Sequence, residues 1–322
     1  MQAVVVTRNG AADVLEVRDE PAPEAGAGQL LVDIDAAGVN YRDVYEREGH
    51  GHHGGEPPLI AGVEGAGTVA AVGADVREFS AGDRVAWTAG QGSYAEQVVV
   101  DAERAVSVPD GVSSELAAAV LLQGMTAQYL ATSTYPVEPG DSVVVHAAAG
   151  GVGLLLTQIV KMRGGRVIAT TSSDEKAELA RGAGADEVMG YDGFGDRVRE
   201  LTGGEGAAAV YDGIGAATFD ESLGSLRPRG VMVLYGAASG APAPVDVARL
   251  AASSLFLTRP SLVHHTAKRD ELLERAAEVF AWVKAGRLDV RIGGRYPLAE
   301  ARKAQEDLES RRTTGKLLLL TR

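Results

Sequence analysis

The run Val143-Val144-Val145-His146-Ala147-Ala148-Ala149-Gly150-Gly151-Val152-Gly153 carries the sharpest chemical signal in the chain. A compact β-branched segment enters a turn of small residues, and an apolar segment, Leu154–Met162, follows it at helical spacing. Small residues let a backbone turn tightly and approach a pyrophosphate. A helix N-terminus then offers free N–H groups and partial positive charge to that anion. The pattern is a variant of Gly-x-Gly-x-x-Gly, with Ala148 and Gly150 flanking Ala149 and Gly153 after them. A strand precedes it, a helix follows, and a second strand ends roughly 20 residues later, which is the context a dinucleotide site requires. Gly150, Gly151 and Gly153 can therefore admit a pyrophosphate. No Gly-Lys-Ser/Thr follows, so a P-loop is excluded.

The end of the second strand selects the cofactor. An NAD site usually places Asp or Glu there for the ribose 2′-hydroxyl. Here the chain reads Thr170-Thr171-Ser172-Ser173-Asp174-Glu175-Lys176, and its carboxylates arrive only inside a helix start that Ser173 would cap. The Ser172 and Ser173 hydroxyls and the Lys176 ammonium suit a 2′-phosphate better. NADPH is the expected cofactor.

Other reactive side chains carry weaker signals. His50, His52 and His53 lie in the glycine-rich stretch 49–55, and a histidine cluster can bind metal. Only Glu56 offers a carboxylate at a fitting spacing, so the expectation is a solvated loop at the substrate mouth, with no metal site. His264 and His265 precede a long helix and read as cleft-lining or capping residues.

Composition removes whole classes of function. The chain has no cysteine, which excludes disulfides, thiolate zinc sites and a Cys nucleophile. A net charge of −13 gives no general attraction for phosphate backbones. The N-terminal residues lack a basic segment followed by an apolar core. The uncharged stretches 116–137 and 142–160 are broken by Gln, Thr, His and Gly. A soluble cytoplasmic protein is expected. Glycine is abundant, 41 of 322 residues, against a usual share of ~7%.

The elements that must carry these residues fall into two regions. The first ~115 residues read as short strands at Ala3–Val6, Leu30–Ile34, Gly67–Val72, Arg84–Trp87 and Gln97–Val100, separated by Gly, Pro and Asp, as in a small barrel or sandwich. From Ser142, strands (Val143–Val145, Arg166–Thr170, Glu187–Met189, Ala207–Tyr211, Val231–Tyr235) alternate with helices (Leu154–Met162, Asp174–Arg181, Phe194–Leu201, Phe219–Leu226). That alternation implies parallel βαβ units in a doubly wound sheet. Asp270–Ala285 and Leu298–Ser310 read as helices, and Lys316–Leu320 as a late strand able to rejoin the N-terminal β-domain.

Taken together, the segments Ala37-Gly38-Val39-Asn40-Tyr41-Arg42-Asp43, Gly62-Val63-Glu64-Gly65-Ala66-Gly67, Gly82-Asp83-Arg84-Val85, Gly92-Ser93-Tyr94-Ala95-Glu96, Gln123-Gly124-Met125-Thr126-Ala127, the glycine loop, Tyr211-Asp212-Gly213-Ile214-Gly215, Thr258-Arg259-Pro260-Ser261-Leu262 and Thr313-Thr314-Gly315-Lys316 have a known likeness. The chain resembles the zinc-independent quinone oxidoreductases (zeta-crystallin-like) of the medium-chain dehydrogenase/reductase superfamily, over essentially its whole length. The resemblance implies an α/β fold. A GroES-like β-barrel catalytic domain (1–122 and 258–322) is interrupted by a Rossmann dinucleotide-binding domain (123–257), with the active site in the cleft between them.

The resemblance further implies cofactor positions at Thr126, Gly150, Gly151, Val152, Ser172, Lys176, Tyr191 and Arg311. Tyr191 would pack near the adenosine, and Gly236 and Ala237 would face the nicotinamide from the carboxyl edge of the sheet. Asn40 and Tyr45 match polar positions near the nicotinamide: Asn40 as a donor to the acceptor oxygen, Tyr45 as a donor or proton source, with Tyr41 a second candidate. Superfamily alcohol dehydrogenases bind zinc through Cys and His. Without cysteine that site is missing, and alcohol oxidation loses its alkoxide stabilisation. A quinone or enone is the expected small-molecule substrate. The runner-up is an enoyl reductase on thioesters, since Asn40-Tyr41-Arg42-Asp43-Val44 also resembles polyketide enoyl-reductase modules. Relatives that serve as lens structural proteins or bind RNA define a third class, and the net charge of −13 argues against RNA. A homodimer joined through the Rossmann domains, near 255–257, is also implied.

Overall fold

The computed structural model describes residues 1–50 and 56–321. His52 and His53 lie outside the described residues. The chain divides into two units, Met1–Leu122 with Lys268–Arg322, and Gln123–Ala267.

The first segment holds β1 (Gln2–Val6), β2 (Leu15–Asp19), β3 (Gln29–Val39), α1 (Tyr41–Arg47), β4 (Leu59–Ile60), β5 (Glu64–Val72), β6 (Arg84–Trp87), β7 (Gln97–Asp101), β8 (Val106–Ser107) and α2 (Ser114–Tyr129). The inserted unit continues with β9 (Ser142–Val145), α3 (Gly151–Met162), β10 (Arg166–Thr170), α4 (Asp174–Gly182), β11 (Glu187–Met189), α5 (Phe194–Leu201), β12 (Ala207–Asp212), α6 (Phe219–Gly224), β13 (Leu226–Leu234), α7 (Ala248–Ala251), β14 (Phe256–Thr258) and α8 (Leu262–His265). The chain then returns through α9 (Arg269–Lys284), β15 (Ile292–Pro297), α10 (Ala301–Glu309) and β16 (Lys316–Leu320).

In the discontinuous unit the returning strand is structural. β16 pairs antiparallel with β3, Leu317 opposite Val39, and β3 pairs antiparallel with β5, Gly38 opposite Glu64. The full order is β15-β16-β3-β5-β6-β8 with β7 also on β3, beside a small sheet β2-β1-β4. Val4, Val6, Ala37, Val39, Leu317 and Leu319 are buried in one core with Ala301 and Ala304 of α10. This register brings the first residue of β16, Lys316, to the same end of the sheet as Gly38 and Glu64.

The inserted unit is a parallel sheet in the order β11-β10-β9-β12-β13-β14. The inner strands are apolar runs because both of their faces are covered: every residue of β12 is buried, and Val143, Val144 and Val145 of β9 are 0% exposed. The chain winds outward from β9 to β11, then restarts at β12 and winds the other way to β14. The order therefore reverses between β9 and β12, and in open α/β sheets ligands bind at the carboxyl ends beside that switch. No described helix is long and apolar enough to cross a membrane.

Two expectations change. Residues 258–267, expected with the discontinuous domain, group with the inserted unit, because β14 pairs with β13 and His265 stacks on Tyr129. The helix expected to run to Leu226 stops at Gly224, and Leu226 already pairs with Ala207 as the start of β13. Helix α1 forms over residues to which the sequence pattern assigned no element. Its N-cap is Asn40, and Asn40 with Asp43 forms a capping box, the Asn40 N–H donating to Asp43 Oδ2 at 2.8 Å.

Candidate active site

In the inserted unit, the glycine loop folds tightly on itself. Ala147 takes a left-handed φ of 49°, and its carbonyl accepts from the Gly150 N–H at 2.8 Å. A Cβ on Gly153 would stand 2.4 Å from Ala147 O and 2.7 Å from Ala148 Cα, so only glycine fits. A Cβ on Gly151 would stand 1.9 Å from Gln123 Oε1, a buried acceptor with no hydrogen-bond partner among the described residues. Gly150 caps α3, so Gly151, Val152 and Gly153 belong to the first turn, whose N–H groups have no intrahelical acceptor. Tyr191 covers the loop entrance, its hydroxyl accepting from the Ala147 N–H at 3.2 Å. Thr126 is buried on α2, one helical turn from Gln123.

Beside this loop, β10 ends in hydroxyls. Ser172 and Ser173 are exposed and Lys176 is half-buried. Ser173 caps α4 by accepting from the Lys176 N–H at 3.4 Å, and the Lys176 ammonium donates back to Ser172 Oγ at 3.3 Å. An ammonium and two hydroxyls thus converge at the position where an NAD site would hold a carboxylate. Gly236 and Ala237 follow β13 on a loop laced to the one after β12. Ser239 N–H donates to Ile214 O at 2.7 Å, and a Cβ on Gly236 would stand 2.6 Å from Gly213 O. These residues satisfy what a dinucleotide requires: a close backbone approach, free helix N–H groups, and a cationic end for a 2′-phosphate.

Under the loop lies a polar network that sequence reading missed. His146 is fully buried, its Nδ1 2.7 Å from Thr170 Oγ1 and its Nε2 2.8 Å from Ser222 Oγ. Phe194 packs edge-on against the ring at 4.7 Å. Burial pushes the imidazole down to about 4, against the opposing pull of Asp212. Asp212 accepts from Ile214 N–H (2.7 Å), Gly215 N–H (3.0 Å), Thr218 Oγ1 (2.7 Å) and Ser222 Oγ (3.3 Å).

In the discontinuous unit, α1 splits its residues between two faces. Tyr41 and Tyr45, four apart, are neighbours on the half-buried face, ring centroids 6.2 Å apart. Asp43 and Arg47 point inward. Arg47 is 0% exposed and grips Glu309 of α10 with two bonds of 2.9 and 3.0 Å. Tyr41 donates to Leu308 O at 3.2 Å. Burial pushes its phenol up while the Arg311 guanidinium pulls it down, so Arg311 faces Tyr41.

Asn40 is placed differently from its expected role. It is 5% exposed, and its amide group donates to Gly38 O (3.2 Å) and Glu64 Oε2 (3.0 Å) while Oδ1 accepts from Lys316 Nζ at 2.7 Å. Both amide hydrogens are engaged within the protein. Lys316 also donates to Glu64 Oε2 at 2.5 Å, and Glu64 Oε1 accepts from the Leu122 N–H at 2.7 Å. This pair is 1% and 0% exposed. Room for it comes from Gly38, where a Cβ would stand 2.4 Å from Glu64 Oε2. Next to it, Asp43 Oδ2 accepts from Tyr94 OH at 2.7 Å, and burial pushes the Asp43 carboxyl up to about 7. Glu64 and Lys316 carried one readable signal: each is a lone charge at the head of an otherwise uncharged strand.

His50, the described member of the histidine stretch, is exposed beside Glu48, with Nδ1 3.3 Å from Glu48 Oε2. No group of three or more metal-binding side chains occurs among the described residues. His264 and His265 end the short helix α8, and His265 stacks on Tyr129 with centroids 4.1 Å apart.

A family model for the alcohol dehydrogenase GroES-like domain matches residues 26–110, and one described as zinc-binding dehydrogenase matches residues 151–281. The chain is similar to a quinone oxidoreductase of Pseudomonas aeruginosa, 42% identical over 315 residues and 97% of either chain. It is 39% identical to a 2-haloacrylate reductase of a Burkholderia species, over 329 residues and 99% of either chain. A mycobacterial protein whose structure was solved with NADPH matches at a TM-score of 0.97 and 50% identity, over 99% of this chain and 100% of that one.

Proposed function

The chain belongs to the zinc-independent quinone oxidoreductase family of the medium-chain dehydrogenase/reductase superfamily, and from that premise we propose that it reduces quinones or related α,β-unsaturated carbonyls with NADPH, without zinc. It is an oxidoreductase, and an NADPH-dependent reductase of this superfamily. The observation that carries the cofactor choice is the Ser172–Ser173–Lys176 group at the end of β10, where two hydroxyls and an ammonium replace a carboxylate. A 2′-phosphate there gains charge-assisted bonds that a bare ribose hydroxyl cannot make.

NADPH, when bound, supplies a hydride. The chain's own residues divide the remaining tasks. Gly150 turns the chain so that the Gly151 and Val152 N–H groups face the pyrophosphate; Ser172, Ser173 and Lys176 hold the 2′-phosphate. Tyr191 and Thr126 frame the cofactor's bed, with Gly236 and Ala237 at the edge of the sheet. On the acceptor side, charge gathers on a carbonyl oxygen, which a phenol can stabilise and protonate. We assign that role to Tyr45, with Tyr41 one turn away and Arg311 facing Tyr41. Asn40 is assigned to fixing the start of α1, since its amide group is committed to Gly38, Glu64 and Lys316.

The absence of cysteine supports zinc independence and favours a conjugated acceptor over an alcohol. The similarity to the 2-haloacrylate reductase favours a second reading within the same chemistry, reduction of an activated C=C bond such as an enoyl thioester. Steady-state oxidation of NADPH with a quinone panel beside an enoyl-thioester panel separates the two. Activity on both only when zinc is added would contradict the metal-free reading. The edge strand β14, with Phe256 60% exposed, supports a homodimer through the parallel sheet; size-exclusion chromatography with light scattering tests it.

A further inference from the structure

We propose that His146 is a positioning residue: as a neutral imidazole protonated at Nε2, it locks together the ends of β9, β10 and β12, and through them the loops that hold the dinucleotide. The inference rests on the NADPH reading above and goes beyond it to a residue that touches no cofactor.

The direction of each bond follows from what the partners can donate. A carboxylate only accepts, so the single Ser222 hydroxyl proton points to Asp212 Oδ2 at 3.3 Å. Ser222 Oγ must then accept at its other contact, 2.8 Å away, which puts a proton on His146 Nε2. A neutral ring has one proton, so Nδ1 is bare and accepts from the Thr170 hydroxyl at 2.7 Å. The chain Thr170 → His146 → Ser222 → Asp212 is satisfied at every step, and all four residues are 0% exposed. The titratable groups facing the ring among the described residues are Asp212 and, at 6.2 Å between centroids, Tyr191.

The network's members are not scattered. His146 immediately follows β9 and precedes left-handed Ala147, the first residue of the glycine turn. Thr170 is the last residue of β10, two before Ser172. Asp212 is the last residue of β12, and its other oxygen holds the Ile214 and Gly215 N–H groups of the next loop. Backbone bonds cross the same strand ends, His146 N–H to Tyr211 O and Ala148 N–H to Thr170 O, both at 3.1 Å. Each link therefore fixes one phosphate- or ribose-bearing loop relative to the next.

Two near-isosteric substitutions test this without emptying the core. Thr170→Val keeps the volume and removes the donor to Nδ1. Thr170→Ser keeps the donor and removes a methyl group. The network predicts that the NADPH Kd, read by nicotinamide fluorescence, rises about tenfold in Thr170→Val, as losing one buried hydrogen bond implies, and stays within about twofold in Thr170→Ser. A packing role predicts the reverse order, and that order would overturn the proposal. Histidine 15N spectra of the wild type give an independent reading: one ring stays neutral with its proton on Nε2 down to pH 5. A ring at this position protonated at Nδ1, or titrating near 6.5, would also overturn it. Failure of the wild type to bind NADPH would instead overturn the cofactor reading. Equal NADPH affinity in wild type and Thr170→Val, with the wild type binding, would overturn this inference alone.

Discussion

Each of the two units buries a polar network beneath residues assigned to the reaction, and the two networks solve the same problem in opposite ways. In the discontinuous unit, Glu64 and Lys316 are kept as an ion pair at 2.5 Å, with Asn40 bridging them and the Leu122 N–H satisfying the second carboxylate oxygen. In the inserted unit, the histidine is kept neutral between two hydroxyls, and the aspartate is satisfied by backbone N–H groups and hydroxyls. A buried charge is tolerable when every lone pair and proton has a partner, and a buried titratable ring is tolerable when it gives its charge up. The first solution fixes the start of a helix carrying two tyrosines. The second fixes loops beside the first turn of α3, whose N–H groups have no intrahelical acceptor.

The contrast is broken most severely by removing one charge. Lys316→Met leaves Glu64 buried and unpaired and is expected to cost about 3–5 kcal/mol by chemical denaturation, whereas Lys316→Met with Glu64→Leu recovers most of it. Equal costs for the single and double variants would mean that the pair is not a coupled unit.

Acidification separates the two regions next. His146 sits at about 4 in the folded chain against 6.5 unfolded, so the unfolded state takes up a proton first. Its contribution is therefore lost as pH falls from 6.5 toward 4, by about 3 kcal/mol. Asp43 runs the other way: its folded value of about 7 lies above the 3.8 of a solvated aspartate, so its contribution is fully present in acid and lost as pH rises through 7. In Asp43→Asn the melting temperature is expected to drop steadily from pH 7 to 5, while the wild type changes little. A wild type that loses stability just as steeply would show that Asp43 does not offset the histidine.

A smaller effect tests the room made for the ion pair. Gly38→Ala would place its Cβ 2.4 Å from Glu64 Oε2 and is expected to cost about 2 kcal/mol of stability, while Gly182→Ala, with open space around its Cβ, costs nothing measurable. Smallest in free energy, though sharpest for function, Lys176→Ala is expected to raise the NADPH Kd about tenfold and leave the NADH Kd unchanged, by removing one charge-assisted contact.

The legibility of the two regions differs for a physical reason. β9, the glycine turn and α3 are contiguous, so strand, turn and helix signals reinforce one another, and the residues proposed to face the pyrophosphate could be read directly. The run of Thr and Ser after β10 was readable for the same reason. Helix α1 was not: seven residues long, it divides polar side chains between two faces and shows no apolar stripe. The Asn40-x-x-Asp43 capping box was its one local sign. The buried networks were hidden by distance along the chain. Lys316 meets Glu64 252 residues away, and His146 meets Ser222 76 residues away. Only the tertiary fold brings them together, by strand register for Lys316 and Glu64 and by the seating of α6 for Ser222, so Asn40 read as a free donor when its partners were already in place.

The central claim is that the carboxyl end of β10 selects NADPH for hydride delivery to a conjugated acceptor. The most direct measurement is kcat/KM for NADPH and for NADH with one quinone, such as 1,4-benzoquinone, in the wild type and in Lys176→Ala. Turnover with NADPH is expected to be at least tenfold more efficient than with NADH, with the preference largely lost in the variant. Equal efficiency with the two cofactors in the wild type, or no oxidation of NADPH by any quinone or enoyl thioester, would contradict it.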